Sequence, residues 1–380
     1  MLRIIVLCLF VVLYIAVPGR TEEADTAPPV EEETQENWLD TVFLQRVWEP
    51  NEYAFSIQVP KGWQMSGGII SIEKMQIFGG AQALEPKLDF MLKMDEVGSV
   101  MLHWLPDTLY LDSSMNALGR LGYYRPGSYY LGMQIRPVMS ATEYLKQIVI
   151  PQEHPAAVDM EVVVASRLYG LVSQYQELVE PFKVSSDIKC DAGMLTVMYE
   201  EDGILYKERL ITAIQDLGAS GDGVWINRDT FLFRAPADDF DRMEPIVSAI
   251  RMSIMFNLNW FEQEVERQIE QGILVLKDPE QEESIYKEIA YCKSKIYTEV
   301  SYAIFSTRIG LMDYINPFTD KTELGIDQWA FRWINKDGDV VYTDDIDYNP
   351  NLDPELGKDG FKQSVELLDV DSYFDYYFPF

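Results

Sequence analysis

Histidine is scarce in this chain: only His103, in an alternating strand where a hydrogen-bonded sheet residue is expected, and His154, in a Glu-His-Pro loop expected to be idle, occur in 380 residues. No His-Glu-x-x-His run is present, which excludes a zincin. Cysteine is nearly as rare, and Cys190 and Cys292 lack the spacing of a metal site. No Gly-x-Ser-x-Gly occurs, which argues against an ordinary α/β-hydrolase. A phosphate-cradling glycine loop is also missing. Gly218-Ala-Ser-Gly-Asp-Gly223 is glycine-rich, but it joins two expected strands with no Lys or helix behind it, so it reads as a flexible turn. Positive charge is short as well. The 31 Lys and Arg face 62 Asp and Glu, for a net charge of −31. Such a surface repels nucleic-acid phosphates and anionic lipid heads and attracts cations or basic partners, although acidity also serves solubility alone.

What is present starts with an export segment. Arg3 precedes Ile4 to Val17, an apolar run without a charge. A spanning helix needs about 20 residues, so this run fits a signal peptide over 1–19 better. The competing reading is an uncleaved anchor, the one case in which a membrane would hold the chain. Either way the bulk lies outside the cytosol, secreted, periplasmic or at the cell surface. There Cys190 and Cys292 are either one disulfide or two buried thiols. Residues 20–37 are acidic, contain proline and carry few large apolar side chains, which predicts a disordered tether.

The folded part begins at residue 38. Ala54–Val59, Gly67–Ile72, Leu88–Met94 and Val97–Leu105 read as strands punctuated by Gly, Pro and Asp. Ser140-Ala-Thr-Glu143 is a capping box, and its helix is expected to stop before Pro151. A strand near Val158–Val164 and a helix from Leu168 to Val179 follow. Leu195–Tyr199 and Ile204–Ile214 flank the turn signal Glu201-Asp-Gly203. Val224–Arg234 is a further strand, and Asp238–Met252 a helix. These elements predict an α+β domain over 38–256, an antiparallel sheet covered by helices. Beyond it, 257–380 reads as mainly helical, with caps at Asn259 and at Asp278-Pro-Glu-Gln281. A small hairpin of Phe331–Ile334 and Val340–Thr343 and an acidic aromatic tail complete it.

The run Phe55-Ser-Ile-Gln-Val-Pro-Lys-Gly-Trp63 resembles the opening of PsbP-like proteins, in which a strand often ends in Pro-x-Gly-Trp. Val224–Met252 is similar to their closing strand and helix. The resemblance covers about residues 51–256, with Asp107–Pro137 as an insertion, and implies an exported sheet covered by helices. That family includes many non-catalytic accessory proteins, so it implies a fold more than a reaction.

Two features bear on binding. Asp345, Asp347, Asn349, Asn351 and Asp353 place oxygen side chains at every second position, which a curled loop brings onto a hard cation such as Ca2+. Pro350 stands where an EF-hand has its glycine and Leu356 where it has glutamate, so the alternative is a polar surface loop. Tyr123, Tyr124, Tyr129 and Tyr130, and the aromatics from Tyr373 to Phe380, are either contact surfaces or local packing. The leading expectation is an exported, non-catalytic binding or scaffolding protein with a protein or surface partner. The alternatives are an extracytoplasmic hydrolase working through carboxylates and a calcium-dependent structural module.

Overall fold

The computed structural model describes residues 41–70, 80–115, 117–179, 188–276, 285–304, 311–356 and 360–367. The export segment, the tether, the expected cap at 278–281 and the tail from Tyr373 lie outside the described residues. In chain order the strands are β1 (Thr41–Trp48), β2 (Phe55–Pro60), β3 (Gln64–Ile70), β4 (Lys87–Lys93), β5 (Met101–Trp104), β6 (Leu109–Leu111), β7 (Tyr129–Tyr130), β8 (Met133–Ile135), β9 (Val158–Arg167) and β10 (Lys189–Glu201). They continue as β11 (Ile204–Asp216), β12 (Val224–Pro236), β13 (Met255–Phe256), β14 (Leu311–Ile315), β15 (Thr322–Ile326), β16 (Phe331–Ile334), β17 (Val340–Thr343), β18 (Lys362–Gln363) and β19 (Val365–Leu367). The helices are α1 (Ala117–Arg120), α2 (Ala141–Tyr144), α3 (Ile150–Glu153), α4 (Tyr169–Val179), α5 (Phe240–Met252), α6 (Leu258–Glu270) and α7 (Ile285–Ile304).

The fold is mixed α and β, sheet-dominated, and antiparallel in every described ladder except β6–β8. A large sheet runs β3-β4-β5-β12-β11-β10-β9, with β6, β7 and β8 attached through β12. Its centre is the β10–β11 hairpin, in register from Glu201↔Ile204 to Lys189↔Asp216. The turn works because Asp202 and Gly203 both take positive φ, 51° and 79°, which a two-residue hairpin turn requires. Apolar side chains cover both faces of this sheet. On one face, Phe90, Trp104, Phe231 and Phe233 pack with α4, α5, α7 and the second sheet. On the other, Leu195, Val197, Leu210, Ile214 and Trp225 pack under Tyr144, Leu145 and Ile148. Burial on both faces explains why β12 reads as a nearly unbroken apolar strand.

The second sheet has the order β13-β2-β1-β17-β16-β18. Its middle ladder, Thr41↔Thr343 to Leu44↔Val340, joins the first described strand to the expected hairpin at 331–343. Strands from either side of residue 256 therefore share one sheet and one core. Among the described residues of the C-terminal part, α-helix is found in α6 and α7; from 311 on they form strands, loops and one 3-10 turn at Pro350–Leu352, including the small sheet β15-β14-β19. Glu49, fully buried after β1, organises the corner into β2. Its two carboxylate oxygens accept the backbone N–H groups of Asn51, Glu52 and Ile69 at 2.8–2.9 Å. Gly68 lies against this carboxylate with φ +136°, and a Cβ there would fall 2.3 Å from Glu49 Oε1.

Two helix boundaries differ from expectation. Ser140 caps α2 as expected, its Oγ accepting from Glu143 N–H. The chain does not stop before Pro151, however. One π-helical turn at Leu145–Val149 leads into α3, and Pro151 falls within the first two positions of that segment, where its missing N–H costs nothing. The cap of α6 is Asn257 rather than Asn259; its side chain accepts the N–H of Asn259 itself.

Candidate functional site

The densest cluster of titratable groups is built on a bulge in β12. Arg228 pairs with Ala213 and Phe231 with Ile211, so Asp229 and Thr230 together face Thr212. Asp229 takes the left-handed conformation, φ 45°, that a bulge demands. Arg228 Nη1 lies 2.8 Å from both Glu85 Oε1 and Asp107 Oδ2, and its Nε donates to Gln215. Asp107 Oδ1 accepts the Asp229 N–H at 3.0 Å. The Lys87 ammonium donates to Gln82 Oε1 and to the Asp107 carbonyl, both at 2.9 Å. Asp229 Oδ2 receives Lys293 Nζ from α7 at 2.8 Å and the Tyr175 hydroxyl from α4. Three cations and three carboxylates therefore balance in a dry region and tie two helices to the sheet.

Burial dominates the titration of this cluster. It pushes Glu85 up, against the pull of Arg228 and Lys87. It raises Asp107 to about 7 and lowers Lys87 to about 8. A carboxyl and an amine near neutrality suit proton transfer. Access is what they lack: Glu85, Lys87, Asp107 and Arg228 are only 0–2% exposed, so no solute touches them in this conformation. The arrangement is that of a structural ion network. Its sequence signal is Arg228-Asp229 in the middle of an otherwise apolar strand.

Both histidines are buried in ion pairs. His103, on β5, sits in its sheet as a hydrogen-bonded residue, with Nε2 2.6 Å from Asp89 and Nδ1 3.1 Å from Glu153 at the end of α3. Burial opposes its charge, but the bonds to the two carboxylates outweigh that and raise it to about 9. His154, expected as an idle loop residue, closes α3 and lies buried, with Nε2 2.8 Å from the fully buried Glu208 and its ring over Tyr199. Cys190 and Cys292 are not bridged to each other; they are half-buried and buried, so of the two expected readings the structure holds the thiols.

Of the alternating residues, Asp345 and Asp347 are exposed, whereas Asn349, Asn351 and Asp353 are half-buried. Its side-chain oxygens serve the loop's own backbone. Asp345 accepts from Asp347 N–H, Asn349 from Asn351 N–H, and Asp353 from Glu355 N–H. Asn351 Oδ1 accepts from both Gly360 and Phe361 N–H, and Asp353 also takes the Tyr348 hydroxyl. Among the described residues, no three His, Cys, Asp or Glu side chains are grouped to hold a metal ion.

The surface offers a different feature. Residues 113–142 hold no Asp or Glu, although the chain's average density would place about five there, and they carry Arg120, Arg125 and Arg136. The base of this segment is rigid. Leu109, Leu111, Met133 and Ile135 pack with Leu217, Val224 and Ile226. Leu131 and Gly132, both at positive φ, make the tight turn between β7 and β8. The tip is bare: Leu121, Tyr123 and Tyr129 are 70–72% exposed, and Leu118, Tyr130 and Leu131 are exposed with them. Tyr124 packs on Tyr130, ring centroids 4.8 Å apart. The two tyrosine pairs were legible as a candidate contact; the absence of carboxylates around them is a signal in the same stretch that sequence reasoning missed.

No protein-family model matches this chain, and a search of the curated proteins found no match. Among the described residues, no helix is long and apolar enough to cross a membrane.

Proposed function

We propose that the chain is an exported, non-catalytic binding or scaffolding protein, and that it contacts an acidic protein surface through the arginine–tyrosine lobe at 117–136. The exposure of that lobe carries the reading. Tyr and Arg are the side chains that most often dominate binding energy, and a rigid base with a bare aromatic tip suits a preformed contact. Arg120, Arg125 and Arg136 without neighbouring carboxylates favour a negatively charged partner at the lobe, against the net charge of −31 that favours basic partners elsewhere. The export segment supports a partner outside the cytosol. The resemblance to PsbP-like proteins supports an accessory role. The hydrolase alternative needs a carboxylate pair that reaches substrate, and the pair that shares Arg228 is buried.

A photocrosslinking residue placed at Tyr129 tests the reading in the living host, with the exposed Tyr53 outside the lobe as control. The expected result is a discrete adduct from position 129, lost in Arg120→Glu with Arg125→Glu. Equal labelling from both positions, or an adduct indifferent to the charge reversal, would refute it.

A further inference from the structure

We propose that Lys293 and Asp229 condense to an amide, a self-made cross-link that joins α7 covalently to β12. Lys293 Nζ lies 2.8 Å from Asp229 Oδ2, and the two side chains are only 1% and 9% exposed. The Lys207–Asp241 pair is different: Asp241 is 71% exposed, so water competes for both groups there. Asp229 is held from several sides. Its φ of 45° belongs to the bulge, and its N–H is fixed by Asp107 Oδ1 at 3.0 Å. Its Oδ2 accepts the Tyr175 hydroxyl as well as the ammonium. Lys293 is buried on α7, with Nζ 6.0 Å from the centroid of the Tyr175 ring. An amine, a carboxyl and a hydroxyl therefore meet at one oxygen in a dry place.

Two physical effects drive the reaction at this place. Groups held in contact and well oriented react as if at an effective concentration of about 10⁵–10⁸ M. A dry site also favours the amine and the neutral acid over two poorly solvated charges, and the neutral amine is the nucleophile. The step balances within the pair. Nζ attacks Cγ, the C–N bond forms and the Cγ–Oδ2 bond breaks. Oδ2 leaves as water with two of the three ammonium protons, and the third remains as the amide N–H. Tyr175 hands one proton to the departing oxygen and regains one from the nitrogen. No solute has to enter, so the burial that denies this cluster a substrate does not oppose the reaction. The product removes one cation and one carboxylate together, and Arg228 and Lys87 still balance Glu85 and Asp107. The link is independent of the lobe at 117–136.

Peptide mapping by mass spectrometry on the full chain, purified folded and then denatured and digested with trypsin, tests this. We expect Asp229-Thr-Phe-Leu-Phe-Arg234 joined to the peptide that carries Lys293. Cleavage after Lys293 should be blocked, and the joined pair should be one water lighter than the sum of its parts. Lys293→Arg keeps the charge and should abolish the link, with circular dichroism unchanged. Tyr175→Phe should slow the appearance of the link about a hundredfold, followed by pulse labelling from synthesis onward. A folded wild type in which the two peptides stay separate, or a link that survives Lys293→Arg, would overturn the inference. So would a loss of water confined to one peptide, which cyclisation at Asp222-Gly223 would give. An unchanged rate in Tyr175→Phe would overturn the role given to that hydroxyl.

Discussion

Replacing Arg228 by methionine removes the one guanidinium that faces both Glu85 and Asp107 and keeps a side chain of similar length. Arg228 is fully buried and the two carboxyls are 1% exposed, so water does not take its place. Breaking a buried ion pair from one side costs about 3–5 kcal/mol, and here two carboxylates lose their partner. Against a total stability of roughly 5–15 kcal/mol this is a large fraction. At about 2–4 °C per kcal/mol it lowers the melting temperature by about 10 °C or more. The loss must also depend on pH. Burial already holds Glu85 and Asp107 above their ordinary values of 4.5 and 3.8, and removal of the cation raises them further. Groups raised in the folded state bind protons there first. Their contribution is therefore fully present below the unfolded values and is lost as pH rises through the folded ones. Relative to wild type, the variant should lose most above pH 7 and regain stability as pH falls toward and through 7. Urea denaturation followed by the buried Trp104 and Trp225 measures both effects. Adding either Glu85→Gln or Asp107→Asn to the Arg228→Met chain should recover at least half of the loss at pH 7, because two cations and two carboxylates then balance again. A cost below about 1 kcal/mol, or a further loss on neutralising the carboxyls, would show that the network is not what holds this region.

Three further outcomes follow from the same coordinates. His103, raised to about 9, should add stability that is full below pH 6.5 and declines as pH rises toward and through 9; the difference in stability between wild type and His103→Gln, measured by denaturation across that window, should shrink accordingly. Glu49→Ala strands three backbone N–H groups at a buried corner, so it should cost about 2–4 kcal/mol, while Gly68→Ala should destabilise through the same carboxylate; chemical denaturation reads both. Asn351→Ala should lower the melting temperature more than Asp345→Ala, because Asn351 pins Gly360 and Phe361 while Asp345 accepts one exposed N–H; a thermal shift with calcium that is larger in wild type than in Asp345→Ala with Asp347→Ala would establish the cation reading of the loop, and equal shifts would refute it.

Local elements were largely legible because their signals are local. Asp202-Gly203 specifies its turn by backbone preference, Ser140 its cap, and the spacing of Leu171, Tyr175 and Leu178 the buried face of α4. The pairing of β1 with β17 was not, since it joins residues 300 apart and nothing in Thr41–Leu44 names Val340–Thr343 as its partner. The ion network escaped for a similar reason. Any of the 62 carboxylates is a candidate by composition, and only the fold brings Glu85, Asp107 and Asp229 around Arg228. His154 was misread because Glu-His-Pro resembles a loop, whereas Glu208, 54 positions on, buries it.

The β1–β17 ladder sets an order of events for a chain that grows from its N-terminus. Translation delivers β1 and β2 early, and they can pair at once, since only the turn around Glu49 separates them. The other side of β1 has no ladder until Val340–Thr343 has been made, almost three hundred residues later. Until then one edge of that hairpin stays open, with Val42 and Leu44, fully covered in the finished molecule, lacking part of their cover. For a chain that emerges N-terminus first, this arrangement delays closure of the second sheet until Val340–Thr343 is available. It also makes the arrival of β16 and β17 the step that ends the period of greatest exposure to aggregation and proteolysis.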